Sequence, residues 1–244
     1  MQVTFLGTGD AFGSGARFQT CIALTAGARR WLVDCGASSL VAMQRFSVQP
    51  SSVGAVLLTH LHGDHFGGLP FLFLEEQFAS RRRAPLVVAG PEGTRERVTA
   101  AMEALFPGSS RIPYGFETSY VEWHDGEAVD VNGARVTPFA VVHDSGATPF
   151  ALRVEREGKV VCYSGDTEWT PALAEACRGA DLFVVEATAY DGRMKLHLDY
   201  ATLLAHRAEL AARRIIVTHM GPGMLAHAAG AELETARDGL VVEL

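Results

Sequence analysis

Four side chains that can bind a metal ion lie within six residues, in the stretch THLHGDH: His60, His62, Asp64 and His65. This spacing lets His60 and His62 approach one cation, while Asp64 and His65 turn towards a second. Zinc binds imidazole nitrogen and carboxylate oxygen readily, and a catalytic zinc keeps one position open for water. The lack of a thiol in this stretch favours Zn²⁺, with Mn²⁺ or iron as alternatives. Gly63 permits the sharp turn that such a loop requires.

Further acids and imidazoles stand at the ends of apolar, strand-like segments elsewhere in the chain. Besides His60, they are His143 after FAVV, Asp166 after VVCYSG, Glu186 in LFVVEA and His219 after IIVT. Parallel strands in a layered α/β fold bring their C-terminal ends together in one cleft. We therefore expect a single composite site built from distant parts of the sequence.

The composition restricts the class of protein. The chain has 244 residues, 48% of them hydrophobic, which is enough for a sizeable core. A net charge of −7 argues against tight, non-specific binding of nucleic acid. No apolar run has the length of a membrane helix, and the N-terminus lacks the pattern of a secretory signal. The four cysteines form no CxxC pair, so we expect reduced thiols in a cytoplasmic protein.

The order of predicted elements indicates an α/β fold. Three antiparallel strands are predicted at the N-terminus, followed by strands at 53–60 and 85–91, three more within 119–143, and a hairpin over 150–166. The last predicted strands are 180–187, 214–219 and GLVVEL at the C-terminus. Helices are predicted over 70–83, 92–105 and 200–214, the last with Asp199 as its N-cap. Helices between strands in both halves suggest sheets covered by helices on their outer faces. No Ser/Gly-rich linker divides the chain, so we predict a single domain over 1–244.

The motifs, taken in order, resemble those of the metallo-β-lactamase superfamily of hydrolases. They are FLGTGD at the start, LVDCG, THLHGDH, His143, SGDT at 164–167 and THM at 218–220. The resemblance covers nearly the whole chain. It implies a four-layer αββα sandwich, the metallo-β-lactamase fold, with two metal ions at one edge between the sheets.

The resemblance also implies a ligand set for two Zn²⁺ ions. One ion would be held by His60, His62 and His143, the other by Asp64, His65 and His219, with Asp166 bridging the two. Two cations about 3.5–4 Å apart favour hydrolysis, because the water between them loses a proton and becomes the nucleophile. Asp64 is also expected to orient this bridging hydroxide, which makes it a catalytic candidate. Redox members of the superfamily carry an acid where this chain has His62, so hydrolysis is favoured.

A further histidine is a candidate for the acid that protonates the leaving group. VEAT at 185–188, His197, a helix and the final THM together resemble the ribonuclease Z branch and its phosphodiesterase relatives. In that branch this histidine helps to protonate the leaving oxygen and the acid of VEAT supports it; here the pair would be His197 and Glu186. Glu186 would raise the pKa of the imidazole and keep it protonated near pH 7. The alternative is that His197 only packs near the start of the helix.

The chain departs from ribonuclease Z in one respect. In the common short form of that family, a long arm that grips transfer RNA lies between the third metal histidine and the bridging aspartate. Here His143 and Asp166 are 23 positions apart, and a hairpin fills the interval. We therefore expect a phosphodiesterase without the arm, acting on a small-molecule phosphodiester or a short nucleic acid. A homodimer is an expectation from the resemblance alone.

Water attack by itself does not name the substrate, and two other functions stay open. One is a hydrolase of carboxyl esters, lactones, thioesters or β-lactams with the same metal site. The other is a protein that uses the fold for binding or scaffolding without catalysis. Substrate panels and the metal content of the purified protein distinguish these hypotheses.

Overall fold

A computed structural model describes residues 1–192 and 194–244, and these contain two mixed β-sheets of seven strands each. The first sheet consists of β1 (Gln2–Gly7), β2 (Cys21–Ala26), β3 (Arg29–Val33), β4 (Ala55–Leu57), β5 (Leu86–Gly90), β6 (Thr118–Glu122) and β14 (Val241–Glu243). Their spatial order is β14-β1-β2-β3-β4-β5-β6. The pairs from β14 to β3 are antiparallel, and those from β3 to β6 are parallel.

The second sheet is built from the C-terminal half of the chain. It consists of β7 (Val129–Val131), β8 (Ala134–Ala140), β9 (Phe150–Arg156), β10 (Lys159–Tyr163), β11 (Leu182–Glu186), β12 (Ile215–Thr218) and β13 (Glu234–Thr235), in the order β13-β12-β11-β10-β9-β8-β7. Strands β7 to β10 pair antiparallel, and β10 to β13 pair parallel. Because β8 and β10 both pair antiparallel with β9, they run in the same direction. The C-terminal ends of β8, β10, β11 and β12 therefore reach the same edge of the sheet.

Helices cover the outer faces of both sheets. They are α1 (Ser39–Arg45), α2 (Gly63–Phe66), α3 (Leu69–Phe78), α4 (Thr94–Leu105), α5 (Pro171–Ala176), α6 (Tyr200–Ala205) and α7 (Pro222–His227). Buried side chains of α1, α3 and α4 pack on the first sheet, and those of α5, α6 and α7 pack on the second. A third apolar cluster fills the space between the two sheets. The predicted four-layer αββα sandwich is confirmed.

The alternation of side chains along β2 shows how the sequence builds these layers. Ile22 and Leu24 point into the space between the sheets, while Cys21 and Ala23 face the helices. Both sets are apolar because successive residues of a strand face opposite sides and this strand is covered on both. Burial of each face removes apolar surface from water, which stabilises the fold by about 25 cal/mol per Å². A charged residue at Leu24 would therefore disrupt the layer between the sheets.

Two predicted helices are shorter than expected. The helix predicted over 70–83 ends at Phe78, because Arg81 adopts a left-handed conformation with φ of 52°. The helix predicted over 200–214 begins as expected, with the Asp199 side chain accepting from the Thr202 amide, but ends at Ala205. Beyond one 3₁₀ turn at Arg207–Glu209 the helix does not resume, because Ala211 and Arg213 form backbone hydrogen bonds with residues 179 and 180. Among the residues that the structure describes, no helix is both long and apolar enough to cross a membrane.

Candidate metal centre

Seven predicted metal ligands converge at one edge of the sandwich, between the two sheets. They form two groups, in each of which the candidate ligand atoms lie within 4.8 Å of one another. The first group, here named the imidazole cluster, consists of His60, His62 and His143. The second, the carboxylate cluster, consists of Asp64, His65, Asp166 and His219. The sequence therefore predicted which distant residues meet.

Asp166 lies between the two clusters. Its Oδ2 is 3.8 Å from His60 Nε2, 4.0 Å from His143 Nε2 and 3.5 Å from His219 Nε2. Its Oδ1 is 3.3 Å from His65 Nε2. The carboxylate thus faces histidines of both clusters, as a bridging group must.

The loop after β4 supplies more than half of the site because two glycines let backbones approach closely. A β-carbon on Gly36 would lie 2.3 Å from the Asp64 carbonyl oxygen, and one on Gly68 would lie 2.3 Å from the Gly36 carbonyl oxygen. Neither distance can be tolerated, so this arrangement requires glycine at both positions. The short helix α2 then carries Asp64 and His65, with His62 at its N-cap position.

Several buried polar atoms in the site have no protein partner. His60 Nε2, His65 Nε2 and Asp166 Oδ1 find no hydrogen bond within the described residues. Buried polar atoms are nearly always satisfied in folded proteins, so these three call for an additional partner. Imidazole nitrogen and carboxylate oxygen together are a donor set that divalent cations such as Zn²⁺ accept. The residues present therefore fit a divalent metal.

A second layer of hydrogen bonds orients the imidazoles. His65 donates through Nδ1 to Asp34 Oδ2 at 2.7 Å, and His143 donates through Nδ1 to the Leu196 carbonyl oxygen at 2.7 Å. His60 Nδ1 lies 3.1 Å from Thr59 Oγ1, which itself donates to Asp34. Such contacts at Nδ1 leave Nε2 facing the site and fix the orientation of each ring. Sequence reasoning missed Asp34, although it ends the apolar run WLV just as the other site residues end theirs.

The two clusters differ in protonation. Burial, together with the neighbouring imidazoles, holds the pKa of His60 well below its usual value. Burial also acts to lower the pKa of His65, but the carboxylates of Asp166, Asp34 and Asp64 outweigh it and raise that pKa well above 6.5. For the same reason the pKa of His219 rises to about 9, with Asp166 as the largest opposing influence. The carboxylate cluster without metal therefore holds protons where a cation would bind.

Backbone strain is concentrated at the site. Asp34, Leu196 and His219 adopt left-handed conformations, with φ of 58°, 68° and 55°. A non-glycine residue that adopts this conformation is destabilised by roughly 1–3 kcal/mol, and such residues occur often at functional sites. His219 belongs to the carboxylate cluster, and Asp34 and Leu196 accept hydrogen bonds from His65 and His143.

His197 and Glu186 form a hydrogen-bonded pair beside the clusters. His197 Nδ1 lies 3.1 Å from Glu186 Oε1 and 3.9 Å from Asp166 Oδ2. Glu186 is fully buried and also accepts from the Thr167 amide and the Thr188 hydroxyl. Burial acts to lower the pKa of His197, but the hydrogen bond and charge of Glu186 raise it above the ordinary value. The structure thus brings together the two residues predicted to act as a pair.

A cavity of about 450 Å³ opens beside His197. Trp169, His206, Lys195 and Glu168 contribute to its walls. The rings of Trp169 and His206 stack with centroids 4.0 Å apart, which makes one wall flat. His206 therefore lines the cavity and lies outside both clusters.

The chain is similar to known hydrolases in both sequence and fold. The family model described as "Beta-lactamase superfamily domain" matches residues 29–220. Ribonuclease Z of Exiguobacterium sp. (strain ATCC BAA-1283 / AT1b) is 30% identical over 274 residues, covering 90% of this chain and 88% of that protein. Ribonuclease Z of Mycobacterium marinum (strain ATCC BAA-535 / M) is 30% identical over 249 residues, covering 93% and 88%. The crystal structure of human tRNase Z, short form, is similar with a TM-score of 0.80 and 25% identity, covering 100% of this chain and 99% of that one.

Proposed function

This chain belongs to the beta-lactamase superfamily and is a ribonuclease Z-like, metal-dependent hydrolase, and we propose that it hydrolyses small phosphodiesters. The observation that carries this proposal is the His197–Glu186 pair, 3.1 Å apart, beside the metal centre. Hydrolysis of a phosphodiester with an alcohol as leaving group needs a proton donor at the leaving oxygen. His197 supplies that donor next to the candidate metal ligands.

We propose that the two clusters hold two divalent cations, most simply Zn²⁺. His60, His62 and His143 would hold one, Asp64, His65 and His219 would hold the other, and Asp166 would be shared between them. When bound, the two cations supply an activated water nucleophile and neutralise negative charge on the attacked phosphate. Atomic absorption on the purified protein should find about two metal ions per chain. Protein that binds no cation after incubation with zinc would contradict this ligand set.

The other site residues hold and move protons. Asp64 faces His65 and His219, with Oδ2 3.3 Å from each Nε2, and with metal bound its carboxylate would accept a hydrogen bond from the attacking water and orient it. Glu186 holds the Nδ1–H of His197 and stabilises the imidazolium form of that ring. With Nδ1 fixed, the opposite ring nitrogen of His197 donates its proton to the leaving oxygen.

Three observations support a small substrate. Only the hairpin of β9 and β10 separates His143 from Asp166, so the chain has no arm in that interval. The alignment with the Exiguobacterium ribonuclease Z is longer, at 274 residues, than the whole chain of 244, so that relative contains segments that this chain lacks. The cavity beside His197 falls within the range of small-molecule sites, about 300–1,000 Å³. A cyclic nucleotide or a cyclic sugar phosphate would fit these limits, and precursor transfer RNA would not.

The cellular compartment and the oligomeric state of the protein are also proposals. All four cysteines are free and buried, which suits a reducing compartment, and we propose the cytoplasm. A homodimer, implied by the family resemblance, is a prediction that the molar mass in solution tests directly.

The test of the proposed function uses two diesters that differ in leaving group. Bis(4-nitrophenyl) phosphate releases a stable phenolate and needs no acid, whereas diphenyl phosphate releases a phenol with a pKa of about 10. His197→Ala should lower kcat/KM for diphenyl phosphate by roughly 10²–10⁴-fold and that for the nitrophenyl ester by less than about tenfold. His206→Ala is the matched control, because His206 lines the same cavity but bonds Glu209 instead of Glu186.

The same measurement distinguishes the alternative. Equal losses on both diesters would remove His197 from the role of acid. Turnover of lactones, thioesters or β-lactams with negligible turnover of either diester would instead support an acyl hydrolase with the same metal centre.

A further inference from the structure

The residue before His197 is held at both of its peptide groups. The Leu196 amide donates to Glu168 Oε1 at 2.8 Å, and the Leu196 carbonyl oxygen accepts from His143 Nδ1 at 2.7 Å. With φ of 68°, Leu196 occupies the left-handed region, which a residue with a branched side chain rarely enters. Such a conformation persists only where the surroundings hold it.

The carboxylate that holds Leu196 is itself anchored beside the metal centre. The Glu168 amide donates to the Val142 carbonyl oxygen at 3.0 Å, and the Val142 amide donates to Thr167 Oγ1 at 3.0 Å. Val142 directly precedes His143. Hydrogen bonds therefore close a ring that joins three loops: the one after β8, the one after β10 and the one before α6.

This ring determines where the backbone of His197 lies. Glu186 fixes only the Nδ1 end of the His197 ring, and that contact alone allows the residue to pivot about Nδ1. The adjacent peptide group of Leu196, held by Glu168 and His143, removes this freedom. General acid catalysis depends on such control, since a displacement of about 1 Å can cost roughly 10²-fold in rate.

We propose that Glu168 is a positioning residue that aligns His197 for proton transfer to the leaving group, by holding the Leu196 amide in its left-handed turn. The inference rests on the proposed function, because it gives Glu168 a role only through His197. Glu168 is not among the candidate metal ligands, and its carboxylate accepts a hydrogen bond from the Leu196 amide. Its effect should therefore appear in the dependence of rate on the leaving group and not in metal content.

The experiment measures kcat/KM of the zinc-loaded enzyme for a series of aryl phosphodiesters, from 4-nitrophenyl to phenyl. Glu168→Ala should lower kcat/KM about 10–100-fold for the phenyl ester and less than about threefold for the nitrophenyl ester. Glu168→Gln keeps an oxygen acceptor for the Leu196 amide and should stay within about threefold of wild type on both. Glu175→Ala, an exposed acid in the neighbouring helix α5, is the matched control and should change neither.

A double variant separates this inference from the proposed function. If Glu168 acts through His197, adding Glu168→Ala to His197→Ala should cause no further loss on the phenyl ester. If the loss of kcat/KM grew steeply from the nitrophenyl to the phenyl ester in His197→Ala but not in Glu168→Ala, the inference would be overturned and the proposed function would stand. Absence of this dependence in His197→Ala would overturn both. Equal losses on all esters in Glu168→Ala, with lowered zinc content or a lowered Tm, would reduce Glu168 to a structural residue.

Discussion

The imidazole cluster and the carboxylate cluster lie side by side, yet their electrostatic environments are opposite. The first consists of three imidazoles, and burial among them holds the pKa of His60 well below 6.5. The second contains two carboxylates, and Asp34 adds a third at hydrogen-bond distance from His65. There the pKa of His65 rises well above 6.5 and that of His219 to about 9.

This difference determines which histidines of each cluster must lose a proton before a cation can bind. Metal ligands must be deprotonated, so metal binding competes with protons. The imidazole cluster already has His60 in the neutral form that binds metal. The carboxylate cluster must release protons from His65 and His219, but its negative charge attracts the cation strongly. The two halves of the centre should thus respond differently to substitution and to pH.

The largest effect is expected at Asp166, whose carboxylate faces histidines of both clusters at 3.3–4.0 Å. Asp166→Asn removes the negative charge that the two cations would share. We expect kcat/KM for bis(4-nitrophenyl) phosphate to fall by about 10³-fold or more, because the two-cation arrangement is lost. Zinc content should fall from about two ions per chain.

The control for this variant is Asp144→Asn, an exposed acid beside His143, which should keep both metal and activity. If Asp166→Asn kept one zinc and most of its activity, the clusters would be independent sites rather than one centre.

A second comparison concerns the stability of the metal-free protein. His65 neutralises buried carboxylates of Asp34 and Asp166, at 2.7 Å and 3.3 Å, so His65→Ala removes a positive charge that both carboxylates share. Such a loss costs about 3–5 kcal/mol in the free energy of unfolding. His60→Ala removes a neutral, buried ring and one hydrogen bond to Thr59, which costs about 1–3 kcal/mol. Urea unfolding in the presence of a chelator measures both, and equal losses would contradict the charge difference between the clusters.

The fold and the convergence of the candidate ligands could be predicted from the sequence because they depend on local patterns. His60, His62, Asp64 and His65 are close in the chain, and apolar runs place His143, Asp166 and His219 at strand ends. Strand directions then bring those ends to one edge. The pairing of His197 with Glu186 was predicted from the resemblance alone, and the structure places them 3.1 Å apart.

The remainder of the site depends on contacts that no local pattern announces. Asp34 follows a strand as several of the candidate ligands do, but its distance to His65 follows only from the packing of β3 beside β4. Glu168 and Leu196 look like ordinary loop residues until three loops meet. The end of α6 at Ala205 was also missed, because backbone hydrogen bonds to the 179–180 turn override the helical pattern that follows.

The smallest expected effect, and the one that separates the clusters most directly, is the pH dependence of stability in the metal-free protein. A histidine whose pKa is raised on folding contributes stability that is fully present below about 6.5 and is lost as pH rises through the folded value. For His219 that loss spans pH 6.5 to about 9. His60 has a lowered pKa, so its contribution has the opposite sign: stability falls as pH drops below about 6.5, where only the unfolded chain takes up the proton.

The free energy of unfolding, measured in urea from pH 5 to pH 9, should therefore decline towards both ends of this range. His219→Ala should flatten the decline on the alkaline side, and His60→Ala should flatten it on the acid side. Zinc-loaded protein should lack the alkaline decline, because a histidine that holds a cation through Nε2 binds no proton there. If His219→Ala left the alkaline side unchanged, the carboxylate cluster would not hold the protons that this difference between the two halves requires.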